Sequence, residues 1–167
     1  MKEEKKIIPL KNYIETIVLF LATIIVVIAL SKWYQSYEDY NLKIPVISGK
    51  IQEIKIDELD DYMTEHDDFF LYICVSEDKI CRNVEKELPE LLESRNIKNN
   101  TIYINANNIE NKVLTKLNNY GYEKEKINLP IFLIFNNKKA IISVEKDSNN
   151  FTIDDIEKLL DEYEVNS

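Results

Sequence analysis

The chain of 167 residues has two glycines, one histidine and two cysteines, and each scarcity closes off a class of function. Two glycines cannot furnish a glycine-rich phosphate loop or a long Gly/Ser linker, so nucleotide binding of that kind and loosely joined domains are both excluded. The lone His66 stands among Glu65, Asp67 and Asp68 without spaced ligands, and no zinc spacing of cysteines exists, so neither a metal nor a cofactor is expected. No nucleophile-base pair can be read either. Positive charge is short as well. Residues 35–167 hold 16 of the 21 basic and 27 of the 30 acidic residues, a net charge of −11. Such a surface keeps a protein soluble and repels nucleic acid and anionic lipid.

What the chain does have is one long apolar run. Ile17 to Leu30 is interrupted only by Thr23, and with Ile14 before it and Trp33 and Tyr34 after it the run reaches the ~17–25 residues that a bilayer demands. Lys2, Lys5, Lys6 and Lys11 precede it, Lys32 and Lys43 follow, and Trp33, Tyr34 and Tyr37 suit an interfacial belt. The expected layout is a cytoplasmic N-terminus over 1–13, a transmembrane signal anchor over 14–34, a polar stalk over 35–48 and an extracytoplasmic domain over 49–165. A cleaved secretory peptide is the competing reading, because Ala29 and Ser31 are small; the length of the run and the aromatics behind it argue for retention. No cysteine closely follows the run, so a thioether lipid anchor has no attachment point.

Beyond Gly49 the pattern alternates. Ile51, Ile54 and Ile56 suggest a strand, and Asp57 a cap for a short helix over 58–66 whose Leu59, Tyr62 and Met63 share a face. Phe69 to Val75 is nearly continuous in apolar residues, as a strand covered on both faces would be. Ile80, Val84, Leu88, Leu91 and Leu92 recur at helical spacing, with Pro89 expected to kink their helix. Thr101 to Ile104 is a short strand ending in the Asn-rich turn 105–108, and Val113, Leu114 and Leu117 mark a further helix. Ile131 to Phe135 and Ala140 to Val144, joined by a short turn, make an antiparallel hairpin. A last helix carries Ile156, Leu159, Leu160 and Tyr163, with Thr152 and Asp155 as a capping pair. The order is β-α-β-α-β-α-β-β-α.

The junction after Phe69–Val75 is the most informative. The strand passes through Ser76 and Glu77 into Asp78-Lys79-Ile80-Cys81-Arg82, the start of a helix, and a strand that delivers a cysteine to a first helical turn is how thiol oxidoreductases present sulfur. With Leu129-Pro130 directly ahead of the next long apolar strand, the chain resembles the thioredoxin superfamily from residue 49 to 164. Locally it is most similar to the bacterial thioredoxin-like proteins associated with bacteriocin export, which carry Tyr-x-Gly-x-x-x-Cys-x-x-Cys. In that register Tyr72 and Cys81 match, Cys74 stands on the glycine, Asp78 on the first cysteine, and Lys79 departs too. The resemblance implies an α/β, three-layer thioredoxin-like fold with a mixed central sheet, and a cis-proline at Pro130 beside the site, where Leu129 would pair with an extended substrate. On the residues alone a trans proline opening a strand is the ordinary reading.

The attacking thiol of such a site is missing. Asp78 suits an N-cap better than catalysis, and with Glu85 it lies on the Cys81 side of the helix, where negative charge disfavours a thiolate and only Arg82 opposes it. Tyr72 and Cys74 share a strand face and lean toward the Cys81 helix. A Cys74–Cys81 disulfide is therefore imaginable, although strand and helix usually stand about 10 Å apart except at their joining loop; two buried, unpaired side chains are the alternative. Two functions follow. One is a non-catalytic module that binds a peptide or partner protein through Leu129, Pro130, Asp78, Lys79 and Ile80. The other is a divergent oxidoreductase or redox sensor using Cys81 with Cys74.

Overall fold

The computed structural model describes residues 10–147 and 150–166, and the chain divides into two compact units between Asn41 and Leu42. The first holds all but the last two residues of α1, which runs from Leu10 to Lys43 and is long and apolar enough to be a candidate membrane span. Its aliphatic side chains are exposed, and its few hydroxyls are satisfied within the helix: Thr16, Thr23 and Ser31 donate to the carbonyls of Asn12, Leu19 and Val27, one turn back. An apolar helix that meets its own polar needs is what a bilayer tolerates. Much of the expected stalk is helical, because nothing breaks the helix until Ile44, which Pro45 pushes out of the helical region. Pro45 and Ile47 are buried, so the compact unit takes in residues 42–48 as well.

The second unit follows the expected order: β1 (Gln52–Glu53), α2 (Leu59–Glu65), β2 (Phe69–Cys74), α3 (Lys79–Ser94), β3 (Thr101–Asn105), α4 (Glu110–Asn118), β4 (Ile131–Asn136), β5 (Lys139–Glu145) and α5 (Ile153–Asn166). The sheet order is β1-β3-β2-β4-β5, with β1, β3 and β2 parallel and β4 and β5 antiparallel. Strand parity divides the core. Tyr72, Cys74, Tyr103 and Phe132 face a layer with Val84 and Leu88 of α3 and Ile156 and Leu160 of α5. Leu71, Ile73, Ile102 and Leu133 face the opposite layer, with Leu59 and Met63 of α2 and Val113 and Leu117 of α4. The result is the expected three-layer α/β architecture.

Two local expectations change. β1 is only two residues long, and Ile56 leaves the strand to open a 3-10 turn, Ile56–Glu58, where it is buried in the α2/α4 layer. Asp57 does not cap: it pairs with Lys112 at 2.6 Å, while Glu58 Oε2 accepts the Lys55 amide. α3 contains Pro89 within its span. At its far end Arg95 is bonded to Glu157, Asp161 and Glu164, tying α3 to α5. The Thr152–Asp155 pair forms as expected, the Thr152 amide and hydroxyl both donating to Asp155 Oδ2.

Candidate functional site

The β2–α3 junction is built tightly. The Asp78 amide donates to the Val75 carbonyl at 3.0 Å, closing a turn directly after β2. Asp78 then caps α3, its Oδ1 accepting the amides of Ile80 at 2.7 Å and Cys81 at 3.2 Å. Its other oxygen meets Lys146 Nζ at 3.4 Å. This turn brings the Cα atoms of Cys74 and Cys81 to 5.8 Å, and the two form a disulfide, within the 4.4–6.8 Å range that such a bond permits. The ~10 Å spacing of strand and helix does not apply here, because the pair spans the loop that joins the two elements. Of the two alternatives left open by the sequence, the structure takes the paired one.

Both sulfur-bearing residues are completely buried, at 0 % exposure. Each sulfur accepts one hydrogen bond: Cys74 Sγ from the Tyr72 hydroxyl at 2.9 Å, Cys81 Sγ from the Val75 amide at 3.3 Å. Burial first, then the neighbouring Glu85, Tyr103 and Asp78, pushes the Tyr72 phenol well above its usual range, so the hydroxyl keeps its proton and acts as a donor. The remaining residues proposed from the sequence lie around this core. Asp78 is about a third exposed, Lys79 is exposed, and Ile80 is half-buried, lining a pocket of about 340 Å³ with Val84, Phe151 and Ile153.

On the other flank of the α3 tip lies the Leu129–Pro130 loop. The Leu129-Pro130 bond is cis. Pro130 is buried and Leu129 half-buried. The Lys146 amide donates to the Pro130 carbonyl at 3.0 Å, so one residue, Lys146, bonds both the proline loop and the helix cap. Among the described residues none hydrogen-bonds the backbone of Leu129. A groove of about 540 Å³ opens there between Ile127, Asn128, Leu129 and Lys146.

Several contacts that organise this region escaped the sequence reading. Asn107 exchanges two hydrogen bonds with Ser76, holding the loop ahead of Asp78 from the far side of the sheet end. Glu85 is buried on α3 and accepts the amides of Val46 and Ile47. Glu145 gathers the strand of chain that leads to Leu129: it accepts the Tyr122 hydroxyl at 3.0 Å, the Asn128 amide and side chain at 3.4 Å each, and Lys124. Only the Asn-rich turn and the acidic end of β5 signal these in the sequence, and neither signal names a partner. Among the described residues no group of three or more His, Cys, Asp or Glu is placed to hold a metal; His66 stacks on Tyr62 instead.

Glu145 supplies a testable handle. Burial raises its pKa, but Lys124, Tyr122 and Asn128 together outweigh that and hold the carboxyl below the usual range. A lowered folded pKa means stability that is present above the ordinary carboxylate pKa and lost as pH falls through the lower folded value. Glu145→Ala should therefore speed amide exchange across 122–128 by about tenfold, the worth of a charged hydrogen bond or more, and leave β2 and β3 unchanged. The wild type should show the same loosening on acidification below about pH 4, the alanine variant no further loosening. Unaltered exchange in the variant at neutral pH would show that Glu145 does not hold the loop.

No family model matches the sequence, and no curated protein matches it either. Solved structures do. A putative oxidoreductase with a thioredoxin fold matches 67 % of this chain and 95 % of its own at 14 % identity and a TM-score of 0.50. Thioredoxin f2 of Chlamydomonas reinhardtii covers 68 % of this chain and 95 % of its own, with 16 % identity and a TM-score of 0.52. Oxidised mitochondrial thioredoxin 3 of Saccharomyces cerevisiae covers 67 % and 94 %, with 12 % identity and a TM-score of 0.50. With the mixed five-stranded sheet, the helix-borne cysteine and the cis-proline loop that Lys146 ties to the helix cap, these likenesses give the unit beyond α1 the thioredoxin fold.

Proposed function

We propose that the chain is a membrane-anchored, extracytoplasmic thioredoxin-fold protein that binds an extended peptide or a partner protein and does not turn over disulfides. One observation carries the reading: the exposed head of α3 bears Asp78, occupied in capping, while both sulfurs are paired and wholly buried. An attacking thiol must be an accessible thiolate. Binding is supported by the half-buried Leu129, which lines an open groove and whose backbone no described residue hydrogen-bonds, and by the Ile80 pocket on the other flank of the same helix tip. Unpaired backbone groups recognise extended peptides through main-chain hydrogen bonds. The lysines ahead of α1 support a cytoplasmic N-terminus. The likeness of residues 72–81 to the thioredoxin-like proteins of bacteriocin export extends the proposal to a partner in peptide export.

The test uses intact membranes. A photo-crosslinking amino acid at Asn128 should capture a discrete partner, one at the exposed Lys158 on α5 should not, and Leu129→Arg should abolish the capture. Capture from both positions alike, or survival of capture in the arginine variant, would rule out binding at this loop. Purified full-length chain should also reduce insulin with dithiothreitol no faster than dithiothreitol alone.

A second reading is favoured by a different observation. The Tyr72 hydroxyl is aimed at Cys74 Sγ, where it would stabilise a thiolate, as a divergent oxidoreductase or redox sensor using Cys81 and Cys74 requires. Native-state labelling of thiols from cells held under oxidising and reducing conditions separates the two. A Cys74–Cys81 pair that opens and closes with those conditions supports the sensor; a pair oxidised throughout supports the binding module.

A further inference from the structure

The residues ahead of the sheet are fastened to α3 on the turn that follows Cys81. Arg82 Nη1 donates to the carbonyls of Ile44 at 3.1 Å and Leu42 at 3.5 Å, and also to Ser76 at 3.3 Å in the loop between the two cysteines. One turn on, Glu85 Oε2 accepts the Val46 amide at 2.7 Å and the Ile47 amide at 3.3 Å. Ile47 is completely buried and belongs to the same cluster as Cys74, Cys81, Tyr72 and Tyr103. Residues 42–47 thus lie along the stretch of α3 next to the disulfide, and Ile47 shares the buried cluster that encloses it.

The fastening is a polar one in an apolar place. Glu85 faces Arg82 on its own helix, Lys50 just beyond the fastened segment, Tyr72 on β2 and Tyr103 on β3. Neither Glu85 Oε1 nor the Tyr103 hydroxyl has a hydrogen-bond partner among the described residues. Burial pushes the Glu85 carboxyl up, against the pull of the Val46 and Ile47 amides and of Arg82 and Lys50. A half-satisfied buried carboxylate holds a segment less firmly than apolar packing of the same volume would. This is the arrangement of a contact that opens before the rest of the core does.

We propose that residues 42–47 form a strap that covers the Cys74–Cys81 disulfide, with Arg82 and Glu85 as its clasp, and that lifting the strap admits a dithiol to the sulfurs. The step is a thiol–disulfide exchange. One thiolate of the dithiol attacks a sulfur of the pair, the other sulfur leaves as a thiolate and takes a proton from solvent, and the dithiol's second thiolate closes its own disulfide and frees the remaining cysteine. Two electrons pass from the dithiol to Cys74 and Cys81. The strap goes beyond the binding reading and does not depend on what occupies the Leu129 groove.

The experiment follows reduction of the native full-length chain in lipid nanodiscs by dithiothreitol, with new thiols trapped by N-ethylmaleimide and counted by mass. Arg82→Ala and Glu85→Ala each remove hydrogen bonds to a charged group, so each should speed reduction by about tenfold or more. Glu85→Gln keeps an acceptor oxygen for the two amides and should stay within about twofold of wild type. Leu160→Ala, in the same core on α5 but away from the strap, lowers global stability and serves as the control. Reduction through the strap leaves this control at the wild-type rate; a speed-up in Leu160→Ala equal to that of the clasp variants would mean that the sulfurs are reached by global unfolding, which overturns the proposal. Wild-type hydrogen exchange keeps the test independent of how the variants fold. The Val46 and Ile47 amides should exchange well before those of β2 and β3, and exchange only with the whole sheet would likewise overturn it.

Discussion

Replacing Cys74 and Cys81 together by alanine should lower the unfolding free energy by about 3–6 kcal/mol, read as a fall in the urea midpoint of the full-length chain. Closing a loop between residues seven apart constrains the unfolded chain by about 2–3 kcal/mol in the chain-entropy account. The alanines also strip the Tyr72 hydroxyl and the Val75 amide of their sulfur acceptors, and a buried donor left unpaired costs about 1–3 kcal/mol. The two contributions separate experimentally. Adding Tyr72→Phe to the double-alanine chain removes the stranded hydroxyl and should recover part of the loss, whereas Tyr72→Phe in the wild type should be destabilising. The sign of the Tyr72→Phe effect thus reverses with the disulfide. A double-alanine chain within about 1 kcal/mol of wild type would mean that the bond contributes no constraint, and the staple interpretation would be wrong.

A staple also accounts for the composition of the site. Among thiol sites, exposed disulfides are the labile and catalytic ones, while buried ones resist reduction. Here the bond sits beneath the loop, two residues of which, Ser76 and Asp78, are held by Asn107 and by their own helix. The junction that in an oxidoreductase exposes sulfur is fixed from three sides in this chain, since Lys146 joins Asp78 to the Pro130 carbonyl. A rigid helix tip beside an open backbone segment is suited to holding a partner.

The sequence carried the strand and helix periodicities, and with them the layers. The parity of Tyr72 and Cys74 placed both on the α3 side, where the structure has them, and Asp78 was recognisable as a cap from its type and its position ahead of Ile80 and Val84. Distance was not legible. Alternation says which face a side chain takes, but the 5.8 Å approach of the two cysteines comes from the turn closed by the Asp78 amide on the Val75 carbonyl. The same limit hid the strap. Ile44, Val46 and Ile47 are too few to show a period, and their partners Arg82 and Glu85 lie some forty positions away, so the segment read as a polar stalk. Glu145 and Asn107 were invisible for a related reason: a carboxylate at a strand end and an asparagine in a turn are ordinary surface residues until the chain brings Tyr122, Asn128 or Ser76 to them.

If the missing nucleophile is what separates this scaffold from an enzyme, restoring it should restore chemistry. Asp78→Cys combined with Cys74→Ser puts a thiol on the N-cap of α3 and frees Cys81, three residues on, from its present partner. A thiol at that position meets the amides of Ile80 and Cys81 and the ammonium of Lys146 in place of the carboxylate. Helix N-termini and cations of this kind bring thiol pKa values from about 8.5 into the range of about 3.5–7.5, which makes most of the sulfur thiolate at neutral pH instead of a few per cent. The double variant should therefore reduce insulin with dithiothreitol at about ten times the reagent background or more, at a loss of about 1 kcal/mol from the cap. Asp78→Cys alone should stay near background, because Cys81 remains bonded to Cys74 and cannot release a mixed disulfide. Cys74→Ser alone should be inactive for want of an exposed thiol. A double variant with native circular dichroism and no turnover would place the defect elsewhere, in the buried position of Cys81 or the floor of the groove, and the idea that one carboxylate stands between this chain and catalysis would fall.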